Sequence, residues 1–242
     1  MLSRAMTDFD DKFGHAAALL FRNWARVQTF LRVAELGMPH AEMILREEAD
    51  NLLSASDGSS KSFVEYMKQV GSAGYAELQL NDAQAAVDAA ALIFMHSVLD
   101  DAAMKCCRLI ALAKPHEWER WVDDKQAPLK EVREHGYDSL FDKALKRRLS
   151  KLEYESLLAK ADMILSLCKP QDGFSSHVDS YVYDRSRLSL LDEQRHGIVH
   201  RGSWAGAFRR NENDLEYLFN TGLYFLELVS VGCRVKGLAN MP

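Results

Sequence analysis

Proline and glycine are scarce in this 242-residue chain, which has five prolines, at positions 39, 115, 128, 170 and 242, and thirteen glycines. Long stretches therefore lack any break in helix hydrogen bonding, the punctuation of an all-helical protein. Cysteine is also scarce. The four, Cys106, Cys107, Cys168 and Cys233, include no pair with the spacing of a zinc knuckle or redox motif, and adjacent Cys106 and Cys107 cannot easily bond each other. They are expected as reduced thiols, packed as small hydrophobes in a cytoplasmic protein. Positive charge is not in excess either. With 30 Lys and Arg against 35 Asp and Glu, the net charge is -5 and the isoelectric point about 5.9, which excludes coating of nucleic acid or an anionic membrane by bulk charge. Long apolar runs are missing as well. The longest, residues 83–113, is interrupted by Asp88, His96, Asp100, Asp101, Lys105 and Arg108, so no membrane span is expected. The run at 16–21 is short and follows Asp8, Asp10 and Asp11 instead of a basic segment, so no export signal is expected.

What is present is the make-up of a globular protein: 48% apolar and 27% charged residues, enough for a sizeable core. Apolar residues recur at three- and four-residue spacing, as in Phe141, Leu145, Leu149 and Leu152, and no segment shows sustained strand alternation. The punctuation predicts a helix over 9–36 stopped by Gly37 and Pro39, and a second over 41–55. A weaker helix is predicted over 61–70, then a long one from Asn81 or Asp82 to Ala113. Residues 118–136 read as a connector. Helix resumes over 137–168, with Ser150 and Glu153 as a possible capping box at a bend. The last two helices are predicted over 183–201 and 213–235.

Residues 1–80 hold 8 basic and 11 acidic side chains and residues 81–242 hold 22 and 24, so neither part is a basic arm. The local clusters Lys143, Lys146, Arg147, Arg148, Lys151 and Arg185, Arg187, Arg195, Arg201, Arg209, Arg210 read first as solvated helix faces.

Chemistry concentrates in the helix predicted over 183–201. Leu188, Leu191, Ile198 and Val199 define an apolar stripe with Arg195 in its middle, a costly place for a cation unless it is paired or faces a second subunit or an anion. His200 falls about 140° around the helix from Arg195. The two can converge only if the helix ends near 197–202 or if a second copy supplies one of them.

The order Arg195, His196, three residues, His200, with Ile198, Val199 and Gly202 around it, resembles the signature of the HEPN superfamily. The resemblance covers about 81–236. It implies an all-α, up-and-down HEPN-like helical bundle over 81–242 carrying the motif, with residues 1–80 as an N-terminal helical extension. It further implies dimerisation through the motif helices and, in many members, a metal-independent endoribonuclease leaving 2′,3′-cyclic phosphate and 5′-hydroxyl ends. By this resemblance His200 is the acid/base group, Arg195 holds the scissile phosphate, and His196 orients either or adds a donor. An imidazole titrates near neutrality and a guanidinium presents a permanently charged fork, so the residue types suit the roles. Arg201, His96 and Asp100 are expected to support binding, His96 and Asp100 as an i, i+4 pair that orients an imidazole or anchors Arg195; a local surface pair is the plain alternative. No metal and no cofactor are expected. The partners implied are RNA, a second copy, and a protein partner or antitoxin, in a toxin, stress or antiviral-defence setting. In toxins paired with minimal nucleotidyltransferases a modifiable tyrosine stands two residues after the histidine. Gly202 occupies that place here, so such modification is not expected.

Other readings compete. His196 and His200 have the spacing of two zinc ligands, but Gly197 stands where a metallohydrolase has glutamate. Trp118, Trp121 and Trp204 can stack bases, although packing is the default. A non-catalytic module binding RNA, a nucleotide or a protein is the alternative to the nuclease, and a bundle with an accidental motif is the third possibility.

Overall fold

The computed structural model describes residues 2–54, 61–122, 132–134, 136–169, 181–201, 211 and 213–233, the side chains of 2–6, 52, 61–64, 67 and 201 excepted. Among these residues no strand occurs. The helices are α1 (Leu2–Ser54), α2 (Lys61–Ala113), α3 (Tyr137–Leu152), α4 (Leu157–Leu167), α5 (Arg185–Arg201) and α6 (Asp214–Cys233), with a 3-10 helix, Pro115–Trp121, after α2. The all-helical expectation therefore holds, and among the described residues no helix is long and apolar enough to cross a membrane.

The chain forms two compact units: one from Met1–Asn23, His96–Asp192 and Glu216–Pro242, the other from Trp24–Met95 and Glu193–Leu215. Positions 80 and 81, where a division is expected, lie within α2 and within the second unit.

The first unit has a dense core. Leu99, Ala103, Cys106 and Ile110 recur on α2 at steps of four, three and four and are buried, as are Leu157, Ala161 and Ile164 on α4 and Leu218, Phe225 and Val229 on α6. A side chain of Leu or Phe size stabilises by about 1.5–3 kcal/mol when fully buried. Gly222 marks a close approach: a Cβ there would lie 3.0 Å from Leu20 of α1 and 3.6 Å from Leu99 of α2. The second unit is lined by smaller residues, with Ala49, Ala76 and Ala85 at 0% exposure alongside Met95 and Leu92. Small contact residues let helix axes come close.

Four local expectations change. α1 runs through Gly37 and Pro39 to Ser54. Proline costs a helix one hydrogen bond, here that of the Glu35 carbonyl, but Pro39 is exposed, and Val27 and Ala49 bury the helix on both sides of it. The break expected near 81 lies at Gly71, whose φ of 72° and ψ of 166° interrupt α2. The cap between α3 and α4 is Ser156, which accepts from the Ala159 amide at 3.2 Å, and not Ser150, which lies within α3. Of the connector, Trp118 is fully buried in the 3-10 helix, and residues 123–131 lie outside the described residues.

Candidate functional site

α5 is held at its start by its own cap. Asp184 Oδ1 accepts from the amides of Ser186 and Arg187 at 2.8 and 3.2 Å, satisfying donors that the first turn leaves open. Tyr217 of α6 donates to the Asp184 carbonyl at 2.5 Å, and the Arg187 guanidinium lies 4.5 Å from the centre of the Tyr217 ring. Leu188 and Leu191 are buried at 0% and 1% exposure.

One residue on, Asp192 meets α2. His96 Nε2 stands 2.8 Å from Asp192 Oδ1, close enough for an ion pair but off the direction of the ring N–H. The expected partner of His96, Asp100, is engaged elsewhere: both its oxygens receive the ammonium of Lys160 from α4, at 2.7 and 2.8 Å. The His96–Asp100 pairing is thus overturned. The reason is burial, since His96 is 4% exposed and Lys160 1%, and each takes the carboxylate that packing presents. Lys160 also donates to the Glu153 carbonyl at 3.3 Å.

The motif residues follow on the last two turns. α5 stays helical through Gly197 to Arg201, so it offers no bend to bring Arg195 and His200 together. Arg195 is half-buried, and its Nε is buried with no hydrogen-bond partner among the described residues. His196 and His200 are exposed one turn apart, with ring centroids 4.4 Å apart and planes tilted by 40°. The helix thus carries a half-buried cation on one side and two neighbouring, tilted imidazoles on another, about 140° separating Arg195 from His200. Ile198 is buried, as expected of the stripe, but Val199 is 46% exposed because it shares its edge of the helix with Asp192, away from the stripe's centre.

The remaining candidates divide plainly. Trp118 is fully buried and cannot stack a base; Trp121 is half-buried, with Arg120 5.5 Å from its ring centre. Trp204, Arg209, Arg210 and the side chain of Arg201 lie outside the described residues. Of the basic cluster, Lys143, Lys146, Arg147 and Lys151 are exposed on α3, while Arg148 forms a two-pronged pair with Glu155 at 2.5 and 3.2 Å. The Arg148 hydrogen bond holds the Glu155 carboxyl below the usual range. All four cysteines are buried free thiols, and burial pushes Cys107 up to about 12 and Cys106 well above its ordinary value, so neither offers a thiolate nucleophile. Among the described residues no group of three or more His, Cys, Asp or Glu is placed to hold a metal. Sequence reasoning missed Lys160 and Asp192. A lysine isolated among Leu157, Ala161 and Ile164 was the available signal for the first; Asp192 had no signal beyond its place on the motif helix. No family model, curated protein or solved structure matches this chain.

Proposed function

We propose that the chain is a HEPN-like, metal-independent endoribonuclease working as a dimer, with two copies of the α5 motif facing each other around the RNA. The observation that carries the reading is the arrangement on one unbroken helix. Arg195 holds a buried Nε with no hydrogen-bond partner among the described residues, and His196 and His200 are exposed on another side of the same helix with their rings 4.4 Å apart. A guanidinium in that position gains from a phosphate, and imidazoles near neutrality suit proton transfer. Because α5 turns Arg195 and His200 apart, the second copy supplies the complementary group.

RNA brings its own nucleophile. His200 takes the proton of the 2′-hydroxyl, the 2′-oxygen bonds to phosphorus, and the bond from phosphorus to the 5′-oxygen breaks. A protonated imidazole returns a proton to that leaving oxygen, so the products are a 2′,3′-cyclic phosphate and a 5′-hydroxyl. Arg195 holds the phosphoryl oxygens as their charge grows. His196, whose ring lies 4.4 Å from that of His200, orients it or donates the second proton. An acidic chain can act on RNA in this way because a small local cleft carries the binding charge.

The test is cleavage of RNA in EDTA, with the ends identified. His200→Ala should lose about 10²–10⁴ in rate and Arg195→Ala about 10²–10³. Undiminished cleavage by His200→Ala would remove that residue from the mechanism. RNA binding lost in Arg195→Ala, with no cleavage by the parent protein, would make this a binding module instead.

A further inference from the structure

α3 has two opposite sides. Phe141, Leu145 and Leu152 are buried, and at about 100° per residue they fall within about 40° of one another. Lys143, Lys146, Arg147 and Lys151 are all exposed and take the other side, in an arc of about 140°. Asp138 and Asp142, the carboxylates of this helix, lie outside that arc. The carboxylates that follow the helix are engaged: Glu153 receives Arg108 of α2, and Glu155 holds the two-pronged bond from Arg148. None of the four exposed cations makes an ion pair or side-chain hydrogen bond among the described residues, and Lys151 adds only a longer-range attraction to Glu155. Like charges three and four residues apart destabilise a helix, so the row carries a local cost that a bound polyanion relieves.

An aromatic ring closes the row. Tyr154 stands in the turn after α3, its amide donating to the Lys151 carbonyl at 3.1 Å, and it is 91% exposed. Cations that track a backbone, with an aromatic ring on which a base can stack, are how proteins hold single-stranded nucleic acid. Lys143, Arg147 and Lys151 follow one another at steps of about 6 Å along the axis, similar to the step between neighbouring phosphates of one strand. No exposed large apolar residue of α3 lies in the arc, so the face lacks what a helix needs to enter a membrane surface.

We propose that the cationic face of α3 and Tyr154 bind single-stranded RNA, with phosphates on Lys143, Lys146, Arg147 and Lys151 and a base on Tyr154. The choice of RNA rests on the nuclease reading above; the face holds the strand and takes no part in the bond-breaking step. A chain of net charge -5 binds a polyanion here because four unanswered positive charges are gathered on one side of one helix.

Fluorescence anisotropy with 2′-O-methyl RNA measures the binding, because that RNA lacks the attacking hydroxyl and stays intact. Each phosphate neutralised on a single strand contributes about 0.7 to the fall of log affinity with log salt, so replacing the four cations by glutamine should reduce that slope by about 3 and weaken binding at least tenfold at about 0.1 M salt. The same change of charge at exposed Lys12, Arg22, Arg32 and Arg46 of α1 should alter affinity less than about threefold, since charges remote from the strand are screened. Tyr154→Ala should weaken binding about fivefold or more, and Tyr154→Phe should bind as the parent does. Circular-dichroism spectra should match the parent throughout. A parent that does not bind this RNA, an unchanged slope in the α3 variant, an equal loss in the α1 variant, parent-like binding by Tyr154→Ala, or equal affinity for polyglutamate would each overturn the proposal. Binding through α3 by a protein that leaves ordinary RNA uncut would refute the nuclease reading alone, and cleavage with binding indifferent to α3 would refute this proposal alone.

Discussion

Lys160 of α4 places its ammonium against both carboxylate oxygens of Asp100 of α2, at 2.7 and 2.8 Å. The lysine side chain is 1% exposed and the aspartate 36%. Taking a lysine out of water is costly, and the carboxylate and the Glu153 carbonyl are what make it tolerable. The pair ties α2 to α4 within the first unit, sixty residues apart in the chain.

Removing only the aspartate should therefore strand a buried charge. Asp100→Ala is expected to destabilise the fold by about 3 kcal/mol, the low end of the range for breaking a buried pair, because Asp100 is partly solvated. Replacing both, as Asp100→Ala with Lys160→Met, should recover most of that loss, since an apolar stem then fills the space with no charge to satisfy. Urea unfolding of the two variants and the parent measures the difference.

Glu155 should contribute to an acid limb of stability. Its hydrogen bond from Arg148 lowers its pKa below the ordinary value near 4.5, so the unfolded chain binds the proton more readily than the folded one. The contribution is then fully present above 4.5 and is lost as pH falls through the lower folded value. Glu155→Gln should be less stable than the parent near neutrality, and the gap should narrow on acidification below 4.5. A gap independent of pH in urea titrations would show that the ion pair contributes nothing through protonation.

Two glycine substitutions should have opposite signs. Gly71 adopts φ 72° and ψ 166°, a region that side chains other than hydrogen rarely enter, so Gly71→Ala should cost about 1–3 kcal/mol although no neighbour lies within 4 Å of the added atom. Gly14 is helical and exposed, also with nothing within 4 Å, and Gly14→Ala should stabilise by about 0.5–1 kcal/mol. Thermal unfolding of the two variants in parallel separates backbone strain from crowding.

Several elements were legible in the chain because their causes are local. Spacing and punctuation put the start of α5 within two residues of Arg185 and the end of α6 within two of Cys233. Leu188, Leu191 and Ile198 were read as a buried stripe from spacing alone, and the cysteines as buried thiols. The candidate site is legible only as a set: the sequence points to Arg195, His196 and His200, and the helix brings the two histidine rings within 4.4 Å, yet convergence on Arg195 depends on whether α5 stops early, which local residues do not settle.

Composition, spacing and capping chemistry determined by themselves that this chain is helical, which helices it ends with, and which helix holds Arg195, His196 and His200, because those properties depend on residues within a turn or two of one another. Only the tertiary structure decided that α1 passes through Pro39, that Asp192 faces His96, and that Asp100 serves Lys160. A proline's penalty or a buried charge's partner is set by what packs against it from distant parts of the chain, and that balance is not written in neighbouring residues.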